Sequence, residues 1–283
     1  MSDKFNADSF DFEKEYEEKC SSIKKPNILV CGATGVGKSS FINGVFGKHM
    51  AQVGEGDPVT RGINKCEDEN SSVVLYDSEG YEIGNEKQSY FKNNIIGIID
   101  KMKQENPNEL ENHIHEVWYF ISAANKRVTQ TDISAIEEIQ KRNVPIAIVV
   151  TQIDNVDEEE LNDICKTIKK DLPKILFFTV CVTDDKEIAE AVKPYNQKDN
   201  LVQWAMDNLD DVLKIGFASS LNNQLDLVKD TVNSKIVPIY IASSIAAAIV
   251  PIPLADAALL TPIRTYYGSL RNRQIKWRCY FCS

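Results

Sequence analysis

The sequence predicts an α/β fold: a mostly parallel, doubly wound sheet with an all-α appendage after it. Three observations carry that expectation. Short apolar runs alternate with segments of helical periodicity from residue 27 to about residue 182. Within residues 27–31 (Asn-Ile-Leu-Val-Cys) four apolar residues follow one another without alternation, as in a strand covered on both faces. After residue 195 no strand pattern returns, and residues 201–213 and 215–234 have helical spacing.

In order, strands are expected at 27–31, 73–76, 117–121, 144–150 and 175–182, with helices at 38–46, 89–102, 131–141 and 158–170. Strand–helix alternation implies parallel crossovers, and ligands of such sheets sit at the carboxyl ends of the strands. Three parts follow. Residues 1–25 form an acidic helical arm with Phe5, Phe10, Phe12 and Tyr16 for apolar grip. Residues 26–195 form the sheet domain, and residues 199–283 a helical region. The last contains an uncharged stretch, 236–255, within an apolar hairpin over 236–263.

Composition narrows the class. The chain has 283 residues, a formal net charge of −10, 43% hydrophobic and 26% charged residues. That excludes a disordered chain, a collagen and a polytopic membrane protein. An acidic chain is not expected to bind nucleic acid, because phosphates repel it. The seven cysteines (Cys20, Cys31, Cys66, Cys165, Cys181, Cys279, Cys282) are scattered and read as reduced thiols of a cytoplasmic protein. Residues 1–20 have no apolar core for a secretory signal, and Tyr280 stands where prenylation requires Cys. His49, His113 and His115 are too separated for a metal site, and the acidic run 157–160 suits a helix N-terminus.

The chemistry lies at the predicted strand ends. Gly32-Ala33-Thr34-Gly35-Val36-Gly37-Lys38-Ser39 matches G-x-x-x-x-G-K-[ST], with Ser40 next in the helix. Such a loop turns backbone N–H groups toward phosphates, places Lys38 on the β- and γ-phosphates and Ser39 on Mg²⁺. Asp77-Ser78-Glu79-Gly80, 39 residues after Lys38, fits D-x-x-G, where the Asp holds Mg²⁺ through water and the Gly N–H meets the γ-phosphate. The glycine-punctuated loop 54–62 offers Thr60 to complete the Mg²⁺ shell. Thr151-Gln152-Ile153-Asp154 follows a strand and is similar to [NT]-K-x-D. A carboxylate at Asp154 matches the ring N–H and exocyclic amine of guanine, a donor pair that adenine lacks. Gln152 replaces the usual Lys; its stem covers the base without the cation. The alternative is a strand-end Thr and a helix N-cap Asp. Cys181-Val182 stands where a Ser-Ala loop would finish the guanine pocket.

The ordered set GATGVGKS, PVTRG, DSEG and TQID resembles the TrmE–Era group of GTPases. Residues 116–121 with 127–132 look like one subgroup that joins an Era-like G domain to a small helical C-terminal domain. Residues 249–256 resemble the signature of that second domain. The resemblance implies a P-loop NTPase with a Ras-like G domain. It implies GTP or GDP bound with Mg²⁺, and slow hydrolysis as a molecular switch. Lys38, Thr60 and Gly80 would be catalytic, and Ser39, Thr60 and Asp77 would hold the metal. Two residues depart from related patterns. Tyr81 follows D-x-x-G where Ras-type proteins carry a water-orienting Gln, and Gly35 offers no side-chain oxygen for potassium stimulation.

Three other readings stay open. Tyr81 fits a nucleotide-dependent interaction protein without turnover. The apolar hairpin, bent at Pro251-Ile252-Pro253, fits a helical pair packed on the G domain or on a partner; followed by Arg264, Arg271, Arg273, Lys276 and Arg278 with no acidic residue after Asp256, it also fits a GTPase docking on or remodelling a membrane through 236–278. Gln152 admits an ATPase. Expected partners are a guanine nucleotide and a protein effector or activator. A second copy of the chain could order the Thr60 loop.

Overall fold

The computed structural model describes residues 24–47, 58–60, 62–67, 72–78 and 85–221. They lie within one compact unit, Lys24–Gln224. The strands are β1 (Asn27–Gly32), β2 (Pro58–Thr60), β3 (Ile63–Cys66), β4 (Val74–Ser78), β5 (Glu116–Ser122), β6 (Ile146–Thr151) and β7 (Leu176–Thr179). The helices are α1 (Lys38–Phe46), α2 (Asn85–Glu105), α3 (Gln130–Gln140), α4 (Glu158–Asp171), α5 (Lys186–Val192), α6 (Lys198–Asn208) and α7 (Asp211–Ser220).

The sheet runs β2-β3-β4-β1-β5-β6-β7. From β4 to β7 every pairing is parallel; β2 and β3 add an antiparallel edge. β1, β5 and β6 are buried at every residue, which explains their unbroken apolar runs. One face is covered by Phe91, Ile95 and Ile98 of α2, Ala135 and Ile136 of α3, and Leu161 and Ile164 of α4. The other carries an aromatic cluster. Trp118 stacks on Phe46 of α1 and meets Phe41 and Phe217 edge-on. Helix α4 starts with a capping box between Asp157 and Glu160, so the acidic run does serve a helix N-terminus.

Several boundaries differ from the sequence expectation. Asp77 and Ser78 belong to β4 rather than following it. β7 ends at Thr179, because Val180 makes one last bond to Val150 O at 2.7 Å and the chain then leaves the sheet. The loop expected at 54–62 contains β2, which places Thr60 in a strand paired with β3. Helix α5 was not anticipated. The long helix expected from 201 ends at Asn208, and α7 begins after Asp210. The arm 1–23, residues 222–283 with the apolar hairpin, Gly80 and Tyr81 lie outside the described residues. Among the described residues no helix is long and apolar enough to cross a membrane.

Glu116 opens β5 and is fully buried. Its Oε2 accepts from Trp118 Nε1 at 3.1 Å, while Oε1 has no partner. Burial pushes this carboxyl well above the ordinary carboxylate range. Its contribution is therefore complete below pH 4.5, where the unfolded chain also holds the proton, and is lost as pH rises toward the folded value. The slope is ~1.4 kcal/mol per pH unit. Glu116→Gln keeps the acceptor for Trp118 and removes the slope. Melting curves of wild type and variant should diverge as pH rises above 4.5, the variant becoming relatively more stable; parallel curves would contradict this account.

Candidate nucleotide-binding site

The carboxyl ends of β1, β4, β5, β6 and β7 converge on one edge of the sheet. β1 ends at Gly32, whose φ is +145° and where a Cβ would lie 2.4 Å from Phe120 O. Only glycine fits that approach to β5. Gly37, with φ +86°, turns the chain into α1. No side chain caps this helix, so its first N–H groups remain directed at the space beside the loop. Ala33 is half-buried, Val36 is buried beneath the loop, and Thr34, Gly35, Ser39 and Ser40 are exposed.

Lys38 is buried, and its Nζ donates to Gly32 O and Ala33 O, each at 3.2 Å. Burial lowers its pKa, and the nearby Asp77 opposes that shift. Asp77 responds in kind: burial raises its carboxyl to about 6, against the pull of Lys38. Its Oδ1 is buried and has no hydrogen-bond partner. The Lys38–Asp77 pair thus presents a cation and an unsatisfied carboxylate oxygen at one spot.

The β6 end joins this loop directly. Thr151 Oγ1 donates to Val36 O at 2.5 Å and is shared with Ile121 O at 3.2 Å. Gln152 sits in the left-handed region at φ +55°. Its Nε2 donates to Gly35 O at 3.1 Å, and its Oε1 accepts from Ser122 Oγ. Ser122 is the register partner of Thr151 across β5 and β6. The Gln152 amide therefore ties the phosphate loop to β5. Gln152→Ala should release that tie and speed GDP dissociation roughly five- to tenfold. Stopped-flow release of fluorescent GDP checks it; an unchanged rate would contradict it.

Asp154 is exposed on the short 3-10 turn Ile153–Asn155. It is not the cap of α4, a place taken by Asp157. Its Oδ1 accepts from Cys181 Sγ at 3.6 Å. Burial, with Asp154 adding, pushes the Cys181 thiol up to about 11, so it stays a thiol. Val182 is 40% exposed and packs on α1 at Gly44, where a Cβ would come within 2.6 Å of its Cγ1. The structure thus brings together the phosphate loop, Asp77, Thr151, Gln152, Asp154, Cys181 and Val182. Thr60 lies in β2, with its side chain outside the described residues. Sequence reasoning missed Ser122, Gly44 and Asn196. Ser122 was findable from the register of the two apolar runs; the others had no local signal. Among the described residues no His/Cys/Asp/Glu group is built to hold a metal by itself.

A glycine-rich loop between a buried strand and a helix, on a parallel sheet whose other strand ends carry Asp77 and Asp154, defines a P-loop nucleotide-binding G domain. The family model described as "50S ribosome-binding GTPase" matches residues 27–180, more than half of the chain. The chain belongs to that GTPase family. It is 28% identical over 171 residues to a probable GTP-binding protein EngB of Thermoanaerobacter pseudethanolicus, covering 58% of this chain and 83% of that protein. It is 29% identical over 137 residues to GTPase Der of Clostridium kluyveri, covering 48% of this chain and 29% of the relative. A solved structure of a probable EngB overlays 67% of this chain and 99% of that one, with a TM-score of 0.42 and 16% identity. The protein is a P-loop GTPase of this family.

Proposed function

We propose that this chain binds GTP and GDP with Mg²⁺ at the converging strand ends and slowly hydrolyses GTP, as a switch of the TrmE–Era kind. The observation that supports this most is the direct linkage of the two halves of the site. Thr151 and Gln152 hold the phosphate loop, and Asp154 follows on the same turn two residues on, exposed to solvent, which supports a role for it at the base. The loop N–H groups and Lys38 receive the phosphates. Asp154 selects guanine, and the Cys181–Val182 loop closes the base pocket.

The residues fit a magnesium ion. Asp77 Oδ1 is buried and unsatisfied, a state costing ~1–3 kcal/mol that a hydrated cation relieves. Ser39, Thr60 and, through water, Asp77 would hold it. Bound there, Mg²⁺ supplies positive charge to the β- and γ-phosphates. Lys38 exchanges its loop carbonyls for phosphate oxygens and stabilises charge developing on the leaving group. Gly80 contributes its N–H to the γ-phosphate. Tyr81 supplies no water-orienting amide, so turnover is slow until a partner supplies the positioning that Tyr81 does not.

Displacement of fluorescent GDP by GTP and by ATP, with and without Mg²⁺, tests this on the full chain and on Asp77→Asn. GTP should displace and ATP should not. Mg²⁺ should tighten GTP binding in the wild type and much less in the variant. Equal displacement by ATP, or an equal Mg²⁺ effect in both proteins, would overturn it.

A further inference from the structure

We propose that Asn196, which belongs to no nucleotide motif, is a positioning residue that sets the base-reading loop and so contributes to guanine selectivity. The proposal rests on the reading of Asp154 and Cys181 as the guanine end of the site, and deepens it.

β7 is an edge strand, paired only with β6 among the described strands. Its outer side is closed by residues 195–197, which arrive from the turn after α5. Gln197 N donates to Thr179 O at 2.7 Å, and Thr179 N donates back to Gln197 Oε1 at 3.2 Å. Thr179 Oγ1 donates to Tyr195 O at 2.5 Å. These bonds fix the segment alongside the strand. Asn196 then extends the pairing past the end of β7. Its Nδ2 donates to Cys181 O at 2.8 Å, and its Oδ1 accepts from Cys181 N at 3.4 Å and from Lys198 N at 3.2 Å.

One half-buried side chain thus satisfies both main-chain polar groups of Cys181, as a neighbouring strand would. That matters because the sheet no longer holds the chain here. The residue so fixed is the one whose thiol contacts Asp154, and the next one, Val182, packs on the phosphate-loop helix at Gly44. Through the 3.6 Å Cys181–Asp154 contact, Asn196 governs the pose of a carboxylate that it does not touch. The third bond, from Lys198 N, anchors the same amide to the first turn of α6 and leaves it one rotamer.

The test is competition of GDP, IDP and ADP against fluorescent GDP on the full chain, in wild type, Asn196→Ala and Asn196→Asp. Inosine lacks the exocyclic amine, so the GDP-to-IDP ratio reads the hold of Asp154 on that amine. A general loosening of the fold would weaken all three nucleotides together and leave the ratios unchanged. The expected result for Asn196→Ala is an about tenfold loss of GDP affinity with little change for ADP, and a GDP-to-IDP ratio falling toward one. Asn196→Asp keeps both acceptor bonds but turns a carboxylate oxygen onto Cys181 O, an acceptor facing an acceptor at the place of the 2.8 Å donor bond. It should therefore lose the GDP-to-IDP preference at least as far as Asn196→Ala does. Wild-type ratios in Asn196→Ala, or equal weakening of all three nucleotides, would overturn the proposal. A wild type that does not prefer GDP to ADP would overturn the guanine reading itself, and this proposal with it.

Discussion

Asp154→Ala should weaken GDP binding by about 10²–10⁴-fold, the sum of two charge-assisted hydrogen bonds at ~1.5–3 kcal/mol each. The loss is confined to the base. The loop N–H groups and Lys38 are placed by β1, α1 and the Thr151–Val36 bond, none of which involves the Asp154 carboxylate. Asp154 is exposed and accepts from the Cys181 thiol at 3.6 Å, so truncation breaks little of the fold and the melting temperature should barely move. ADP, which gains nothing from a carboxylate at that position, should bind wild type and variant alike. Isothermal titration of GDP and ADP against both proteins checks this. A variant that keeps its GDP affinity would show that Asp154 is only a turn residue.

Lys38→Ala should produce the other large effect, and of a different kind. Its ammonium is buried beside Asp77 and is held by the carbonyls of Gly32 and Ala33. Removing it takes away the one cation that the loop offers the β- and γ-phosphates and leaves Asp77 with no opposing charge. Hydrolysis should fall by about 10²–10³-fold. GDP and ADP binding should weaken by a similar factor, because phosphate contacts do not distinguish bases. Single-turnover phosphate release and nucleotide titration on the same preparation check both parts. A loss restricted to guanine nucleotides would contradict the assignment of Lys38 to the phosphates.

These two residues were legible in the sequence because their chemistry is local. The phosphate loop needs its glycines and lysine at fixed spacing, and the buried strand before it is an uninterrupted apolar run. The central strands were legible for the same reason: β1, β5 and β6 are covered on both faces. The edges were not. β2 and β3 are short and half polar, with Asn64 and Lys65 between Ile63 and Cys66, so neither has the pattern of a buried strand. At β7 the apolar run continues through Val182 although pairing stops, because Val180 and Cys181 are buried beyond the strand and Val182, part exposed, packs on Gly44. The break between α6 and α7 rests on Leu209 and Asp210, residues that interrupt no periodicity.

The support around the site was hidden for a deeper reason. Ser122, Gly44 and Asn196 act through register and close approach between segments far apart in the chain. Ser122 reaches Gln152 across thirty residues, and Asn196 reaches Cys181 across fifteen. Gly44 is small because Val182 packs on it. None carries a motif. Gln152 shows the converse: its identity departs from the expected Lys, and only its position between Ser122 and Gly35 gives the amide a task.

The most direct test of the central claim is phosphate release from γ-labelled GTP and γ-labelled ATP, followed separately on excess full chain with Mg²⁺. The account predicts slow, complete release from GTP and none above background from ATP. Equal release from both would contradict the base selection assigned to Asp154, and no release from GTP at protein concentrations that saturate binding would contradict turnover at Lys38.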